Sequence, residues 1–511
     1  MPRRLFLLLL LLATTSTRAA AQAVGWDAGL DATIDSAMKA FHVPGLALAV
    51  VKGNKVLYIK GYGYRDVARK LPVTPNTMFP VASITKSFAA TVLASLVKDG
   101  KLEWDKPVRT YLSDFQLNDP VASERISVRD LITNRTGMPR HDLLWTINEF
   151  TREQLYGRLR YLELSRDMRT TWQYANLMFM TSGILAGRVA GSTWDDLVQQ
   201  RVFAPLRMRT ATTSLAAYTQ SPDHAEPYAW SDVDTLMHIP FRSFEQVGAA
   251  GNVQSTIDEM SRYLIMHLRD GVFENDTIMR PADAREIHRP QMAMAKPMLW
   301  ENGEFPELGD ETYGMGMLVN SYRGHKLVHN PGNNDGFALE LSMLPNDSLG
   351  VMVLTNMYST TLRDFVQFLV YDRLLGLPRV DWTGRFRARA ARSRAANFAT
   401  RAREDSMRIK GTLPSHTLDA YVGRYVHPGY GTMAVSRTAT GLQVSWGAYT
   451  FPLEHYHYDV FRLGLPAGDP TYARFRMRIT FQTGLDGSIS VLSAPVEAAV
   501  APTVFSRVKG N

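Results

Sequence analysis

Cysteine is absent from the 511 residues of the chain, and so are long apolar segments. The first absence excludes disulfide bonds, thiol catalysis and a lipid-modified N-terminal cysteine. The apolar run from Leu5 to Ala13 is too short to cross a bilayer comfortably. No Gly-x-Ser-x-Gly motif occurs, which disfavours an α/β-hydrolase. We therefore expect a disulfide-free protein without a stable membrane anchor.

The first 23 residues have the pattern of a cleavable export signal. Arg3 and Arg4 precede the apolar run, and Ala21-Gln22-Ala23 offers small residues for cleavage. We expect residues 1–23 to be a signal peptide that is removed. Export together with the lack of cysteine indicates a periplasmic or secreted bacterial protein.

Positive charge is concentrated in one segment of the chain. The formal net charge is +8, and residues 379–410 carry ten Arg or Lys against three acidic residues. The rest of the mature chain is slightly acidic, so the basicity is no general signature of nucleic-acid binding. We expect this Ala/Arg-rich segment, residues 376–415, to be a solvated helical linker. Contact with an anionic membrane or polymer is the alternative.

The order of apolar patterns predicts an α/β (α+β) fold. Strand-like runs at residues 46–51 and 56–62 begin the mature chain, and further runs between residues 315 and 354 follow a mainly helical middle. We expect residues 24–375 to form one antiparallel sheet built from both ends of the domain and flanked by helices. A helical subdomain should lie beside the sheet, with a cleft between the two parts.

The stretch from Phe79 to Ala90 carries the first candidate for catalysis. A helix is expected to open at Ser83, behind Pro80, which places Lys86 on the same helix face. Serine needs a base to become nucleophilic, and apolar surroundings at a helix start lower the pKa of a lysine. S-x-x-K occurs four times, but only this copy stands at a helix start, where free backbone N–H groups can hold an oxyanion.

The second candidate is the pair Tyr174 and Asn176, the only Tyr-x-Asn of the chain. A phenol near a lysine can relay a proton, and an amide can bind both a substrate amide and the lysine. Taken alone, the pair is better explained by structural roles, with Tyr174 as a core aromatic residue and Asn176 as a helix N-cap.

The third candidate is the segment 327–337, whose glycines allow close backbone approach to a ligand. Its polar groups suit a carboxylate or an acyl carbonyl. The candidate binding residues are His329, Asn330, Gly332 and Asn333.

Together these stretches resemble the three motifs of the serine β-lactamase and penicillin-binding-protein superfamily. Ser83-Ile84-Thr85-Lys86, Tyr174-Ala175-Asn176 and the glycine-bearing segment near residue 330 carry the resemblance. The tyrosine form of the second motif is similar to class C β-lactamases, D-aminopeptidases and related esterases. The resemblance implies an acyl-enzyme at Ser83, acid–base roles for Lys86 and Tyr174, an oxyanion held by the N–H groups of Ser83 and Asn333, and no cofactor.

The third motif departs from the usual Lys-Thr-Gly or His-x-Gly of that superfamily. Counting back from Phe337 without a gap places Asn330 at the first position, and one inserted residue places His329 there instead. If Asn330 fills the first position, the motif lacks the cationic or protonatable side chain that the family usually has there. That predicts poor turnover of penicillins and better hydrolysis of uncharged esters or amino-blocked D-peptides.

Residues 416–511 predict a separate β-rich domain. It resembles the small lipocalin-like barrel appended to some of these hydrolases, especially at residues 453–459. This stretch contains His455-x-His457-x-Asp459, which begins like a zinc motif of metallo-β-lactamases. Position 460 is valine and no histidine follows His457, so we expect no metal there.

The leading interpretation is an exported serine hydrolase acting on an amide, β-lactam, D-amino-acid peptide or ester. The alternative is a penicillin or peptidoglycan sensor that is acylated and not turned over, and a metallohydrolase ranks third. Expected partners are a small-molecule or peptide substrate, including one derived from peptidoglycan, and no nucleic acid. The oligomeric state stays open.

Overall fold

The structure is a computed structural model, and it describes residues 25–231, 235–298, 304–466 and 476–508. The expected signal peptide, residues 1–23, lies outside the described residues. Within these ranges, no helix combines the length and the apolar character needed to cross a membrane.

The first part of the chain mixes short helices with strands. Its strands are β1 (Gly45–Lys52), β2 (Lys55–Asp66), β3 (Leu71–Pro72), β4 (Met78–Pro80), β5 (Tyr228–Trp230), β6 (Leu236–His238), β7 (Gln254–Thr256), β8 (Val272–Phe273), β9 (Asp276–Thr277), β10 (Met292–Ala293), β11 (Thr312–Tyr313), β12 (Leu318–Tyr322), β13 (His325–Asn334), β14 (Phe337–Leu344) and β15 (Leu349–Thr355). Its helices are α1 (Leu30–Ala40), α2 (Thr85–Lys98), α3 (Pro120–Arg125), α4 (Val128–Ile132), α5 (Leu143–Thr146), α6 (Arg152–Arg158), α7 (Asn176–Ala190), α8 (Trp194–Val198), α9 (Leu215–Gln220), α10 (Ile257–Leu268), α11 (Pro281–Ile287) and α12 (Leu362–Leu375).

Nine strands form one sheet in the order β10-β11-β12-β13-β14-β15-β1-β2-β3. The two ends of the domain meet where β1 runs antiparallel to β15, with Leu46 opposite Thr355 and Lys52 opposite Leu349. This order confirms the predicted antiparallel sheet built from both ends of the domain.

The side chains of β1 alternate between two hydrophobic layers, as the pleat of a strand requires. One face packs with α1 and α12, and the other packs in the cluster that contains α2 and α10. The first face carries Leu46, Leu48 and Val50, and the second carries Ala47, Ala49 and Val51. Both layers are buried, and the central strands therefore carry apolar side chains on both faces.

Helices α3 to α9 form the helical subdomain beside the sheet. Helix α7 lies at its centre and packs against α2 and α4. Helix α2 contributes to both parts, because it follows directly from the short strand β4, which pairs with β7. The start of α2 therefore lies where the subdomain and the sheet meet.

The described chain continues into α13 (Trp382–Ser406), a helix of 25 residues whose start is capped by the Asp381 side chain. Trp382 and Phe386 are buried with Phe305 and Phe368 in the core beneath the sheet. Beyond them the helix is largely exposed. The first turns of the Arg-rich helix therefore belong to the first domain's core.

The C-terminal part is a closed eight-stranded barrel in which each strand pairs with the next in sequence. Its strands are β16 (Gly423–His427), β17 (Gly431–Arg437), β18 (Leu442–Trp446), β19 (Tyr449–His457), β20 (Val460–Leu463), β21 (Arg478–Thr483), β22 (Ile489–Ala494) and β23 (Thr503–Arg507). The predicted barrel is confirmed. Its interior is filled by large side chains, including Tyr425, Trp446, Phe451, Phe461, Phe481 and Phe505.

The histidines of the zinc-like motif make ordinary structural contacts. His455 Nε2 lies 2.9 Å from the Tyr458 carbonyl, and the Ile409 amide donates to His457 Nδ1 at 3.4 Å. Asp459 accepts hydrogen bonds from the amide and hydroxyl of Ser415. The contacts of Ile409 and Ser415 attach the segment before the first barrel strand to the barrel.

Candidate active site

Ser83 lies in a 3₁₀ turn, Ala82–Ile84, that leads into α2. From Thr77 to Val97 every residue is buried except Ser83. Ala82 has a φ of 49°, a left-handed conformation that is uncommon for a residue with a Cβ. The fold therefore leaves one hydroxyl partly exposed on an otherwise buried segment. Backbone strain like that at Ala82 is typical of turns at functional sites.

Lys86 is 1% exposed and its Nζ has three oxygen neighbours. They are Ser83 Oγ at 3.2 Å, Asn176 Oδ1 at 2.8 Å and the Ala250 carbonyl at 2.7 Å. Burial, with the nearby charge of Arg140, holds the pKa of Lys86 well below its usual value. A neutral amine can donate to the two carbonyl oxygens and turn its lone pair to Ser83, which suits a general base.

Tyr174 approaches Ser83 from the other side, with its hydroxyl 2.6 Å from Ser83 Oγ. Lys86 Nζ lies 4.7 Å from the centre of the Tyr174 ring. Burial raises the pKa of Tyr174 to about 12, and Arg140 and the Ser83 hydrogen bond oppose that rise. Tyr174 is therefore a neutral phenol near neutral pH and can donate or relay a proton.

Asn176 is the first residue of α7, and its amide links the lysine to the helical subdomain. Its Oδ1 accepts from Lys86, and its Nδ2 donates to Asp142 Oδ1 at 2.9 Å. The amide orientation is thus fixed from both sides, and Asn176 holds the Lys86 amine in place.

The segment of the third motif is continuous strand rather than loop. Its residues alternate across β13, so that His329 and Asn330 point to opposite faces. Asn330 Nδ2 donates to the carbonyls of Ser83 at 3.2 Å and Gly316 at 2.9 Å. His329 Nδ1 lies 3.0 Å from the buried carboxylate of Glu340. The structure therefore places Asn330 beside the Ser83 turn and His329 away from it.

Gly332 brings β13 close to the Ser83 turn. A Cβ at this position would come within 2.6 Å of the Val81 carbonyl, so a side chain does not fit. Arg363 donates to the Gly332 carbonyl at 2.7 Å and to Asn333 Oδ1 at 3.0 Å. Because a trans peptide directs its C=O and N–H oppositely, the Asn333 N–H faces away from Arg363.

Two residues of this site carry no sequence motif. Arg140 stacks on Tyr174, with its guanidinium carbon 4.7 Å from the ring centre. Its Nε donates to Asp142 Oδ2 at 2.6 Å, and the other oxygen of Asp142 holds Asn176. The only sequence signal for them is the Gly-Met-Pro turn that ends at Pro139, which predicts a loop and no chemistry.

Comparison with known proteins identifies the family of the chain. Residues 30–374 match the family model described as Beta-lactamase, and residues 407–507 match a domain of unknown function (DUF3471). The unguisins hydrolase ungD' of Aspergillus campestris is 27% identical over 414 residues, which cover 77% of this chain and 75% of the relative.

Solved structures show the same fold. An octameric penicillin-binding protein homologue from Pyrococcus abyssi is 22% identical, with a TM-score of 0.62 over 94% of this chain and 99% of that chain. A D-amino acid amidase from Ochrobactrum anthropi SV3, solved with L-phenylalanine amide, is 23% identical, with a TM-score of 0.55 over 69% of this chain and 97% of that chain. The resemblance of the motifs is thereby confirmed at the level of the family. The chain belongs to the beta-lactamase family, and hydrolases are among its relatives.

Proposed function

We propose that this protein is a serine hydrolase that forms an acyl-enzyme at Ser83. The observation that carries the proposal is the convergence of two proton-transferring groups on one partly exposed hydroxyl. Lys86 Nζ and Tyr174 OH lie 3.2 Å and 2.6 Å from Ser83 Oγ. Family membership and the hydrolase relatives support the reaction class.

Acylation begins when the neutral Lys86 amine takes the Ser83 proton. Ser83 Oγ then attacks the carbonyl carbon of the substrate, and the oxyanion is held by the N–H groups of Ser83 and Asn333. As the tetrahedral intermediate collapses, the Tyr174 hydroxyl gives its proton to the leaving group. The Lys86 ammonium returns its proton to Tyr174, which leaves both groups as they started.

In deacylation the proton transfers run in the opposite direction, with water in the place of the leaving group. A water molecule enters where the leaving group stood, next to the Tyr174 hydroxyl. It loses a proton through Tyr174 to Lys86 and attacks the acyl carbonyl. Ser83 then leaves with the proton from Lys86, and the free acid is released.

The substrate that fits this arrangement is an amide or ester, including a D-amino-acid peptide. Asn330 is neutral, and its amide nitrogen is already bound to two backbone carbonyls. That side of the site therefore offers no cation to a penicillin carboxylate. The relative named unguisins hydrolase supports hydrolysis as the reaction class, and the D-amino acid amidase shows that this fold can carry amide chemistry. We also propose that the protein is exported, on the strength of residues 1–23.

The test is covalent labelling with a fluorophosphonate probe, followed by turnover of a neutral ester, in Ser83→Ala and Ser36→Ala. Ser36 is the matched control, since it is an exposed serine with a lysine three residues later on α1. Ser83→Ala should lose both labelling and turnover, and Ser36→Ala should keep both. Retained turnover in Ser83→Ala would overturn the proposal. Labelling of Ser83 without any product released from the ester would favour the alternative, a sensor that is acylated and not turned over.

A further inference from the structure

Arg363 is a buried cation whose short hydrogen bonds go to the backbone. It lies on α12 beneath the sheet and is 4% exposed. Its Nη1 donates to the Gly332 carbonyl at 2.7 Å, to the Leu339 carbonyl at 3.2 Å and to Asn333 Oδ1 at 3.0 Å. Buried charged side chains are usually paired with an opposite charge. Here the guanidinium directs its short contacts to the end of β13 instead.

The acids nearest to Arg363 lie beyond hydrogen-bond distance. Asp364 Oδ2 and Glu340 Oε2 are 3.6 Å and 3.9 Å from Arg363 Nε. Within the part of the chain that the structure describes, this Nε has no hydrogen-bond acceptor. Glu340 Oε1 lies 3.0 Å from His329 Nδ1. The carboxylates therefore balance the charge from a distance, while the carbonyls receive the short contacts.

Arg363 stands at the end of a row of buried charges. Glu311 Oε1 lies 3.9 Å from His329 Nε2, and His329 is followed in space by Glu340 and Arg363. All four side chains are at most 4% exposed. Burial lowers the pKa of His329, but the hydrogen bond to Glu340 and the charges of both glutamates outweigh it and raise the pKa overall. The signs along the row therefore alternate, which holds Arg363 in place.

The carbonyl that Arg363 binds belongs to the same peptide group as the Asn333 N–H. In the proposed mechanism this N–H holds the oxyanion. A cation at the carbonyl oxygen draws electron density out of the peptide group, and this makes the N–H a stronger hydrogen-bond donor. The peptide is trans, so the N–H points away from Arg363. Arg363 thus acts on the oxyanion donor from the opposite side of the strand.

We propose that Arg363 is a positioning residue for the oxyanion site, because it fixes and polarises the Gly332–Asn333 peptide group. The Asn333 N–H then binds the developing negative charge more strongly than an ordinary backbone amide does. This inference rests on the proposed function and adds to it a residue that works through the backbone. A role limited to joining α12 to the sheet would leave the reactivity of the oxyanion site unchanged.

The experiment compares 4-nitrophenyl phenylacetate with its thiono ester, in which sulfur replaces the carbonyl oxygen. A sulfur anion accepts hydrogen bonds weakly, so the thiono ester gains less from the oxyanion site. The measured quantity is the ratio of the two kcat/KM values, oxygen ester over thiono ester. Arg363→Gln should lower this ratio about three- to tenfold, less than the roughly hundredfold cost of deleting a whole oxyanion donor. Equal losses for both esters, or an unchanged ratio, would overturn the proposal.

A charge-balanced variant keeps the test decisive if Arg363→Gln does not fold. Arg363→Gln/Asp364→Asn removes the cation together with an acid beside it, which avoids leaving a buried acid in excess. The ratio should fall as in Arg363→Gln, and a wild-type ratio in the double variant would overturn the proposal. Asp364→Asn alone should keep the wild-type ratio. An equal fall in Asp364→Asn would assign the effect to the buried row as a whole and overturn the role of Arg363.

Arg373→Gln is the matched control on the same helix. Arg373 also donates to a backbone carbonyl, that of Ala28 at 3.0 Å, at the other end of α12. This variant should keep the wild-type ratio. Arg363→Lys retains the charge and should restore part of the ratio, and a ratio as low as in Arg363→Gln would contradict polarisation by the cation. Hydrolysis of the oxygen ester by Ser83→Ala would instead overturn the proposed function.

Discussion

At the scale of single residues, burial keeps the two proton-transferring groups of the site neutral. Lys86 and Tyr174 both sit where water is excluded, and burial moves their pKa values towards the uncharged forms. One group is therefore ready to accept a proton and the other to donate one at the same pH. Ser83 lies between them and is the only one of the three with an open face.

The pH dependence of kcat/KM should follow Lys86. In the proposed mechanism the neutral Lys86 amine is the active form, so activity should fall as pH decreases through the lowered pKa of Lys86. Lys86→Ala should cost roughly a hundredfold or more, the usual scale for loss of a general base. Lys39→Ala, at the exposed S-x-x-K of α1, is the control. Wild-type rates in Lys86→Ala would show that Ser83 uses another base.

Tyr174→Phe removes only the hydroxyl that lies 2.6 Å from Ser83 Oγ. Because the proposed mechanism passes the leaving-group proton through that hydroxyl, the variant should lose roughly a hundredfold in kcat. Substrates with better leaving groups should be less affected, since they need less protonation. Tyr161→Phe, on the exposed side of the subdomain, should behave as wild type. Equal losses for good and poor leaving groups would contradict the relay.

At the scale of elements, the geometry of the site depends on how closely β13 packs against the turn before α2. On its other edge, β13 pairs with β12 only as far as His329, and its last residues lie against the Ala82–Ile84 turn. Asn330 ties that turn to the strand through the Ser83 carbonyl. The position of the nucleophile therefore depends on the register of a strand far away in sequence.

Gly332→Ala tests this fit. The added methyl group would meet the Val81 carbonyl and Leu339, so the strand must move away from the turn. We expect a loss of about 1–3 kcal/mol in the free energy of unfolding, as for other overpacked sites. Ser83 labelling should slow as well. Gly157→Ala in α6 is the control, because its Cβ would meet no atom within 4 Å. Unchanged stability and labelling in Gly332→Ala would contradict the close fit.

At the scale of the whole molecule, the two domains share more than a linker. Barrel residues and first-domain residues belong to one buried cluster, and Trp382 and Phe386 of α13 complete the other core. A domain boundary drawn after residue 375 therefore separates Trp382 and Phe386 from the core in which they pack. Only the exposed part of α13 acts as a linker between the two domains.

Two truncations distinguish these boundaries. A chain that ends at residue 394 keeps Trp382 and Phe386 in place, and it should fold. A chain that ends at residue 378 loses both, and should be about 3–5 kcal/mol less stable in urea unfolding, as for removal of a large buried aromatic residue. Equal stability of the two chains would show that these aromatic residues do not contribute. Aggregation of both chains would show that the barrel is part of a single core.

The sequence by itself determined the features that depend on neighbouring residues. The spacing of Ser83 and Lys86, the Tyr174–Asn176 pair and the alternating runs that became the sheet are local patterns, and helix and strand geometry converts them directly into positions. The alternating runs and turns of residues 416–511 also predicted a β-rich domain, whereas its closure into a barrel was implied by the resemblance to lipocalin-like domains. These patterns predicted the fold and the candidate nucleophile.

Only the tertiary structure decided which side chains surround that nucleophile. Whether His329 or Asn330 faces Ser83 depends on the pairing of β13, since a shift of one residue reverses every side chain. Arg140 enters the site because His141 is held by Tyr430 and Glu497, which lie 289 and 356 residues further along the chain. No local pattern encodes such a contact, because its energy comes from burial and hydrogen bonds formed only when distant segments pack together.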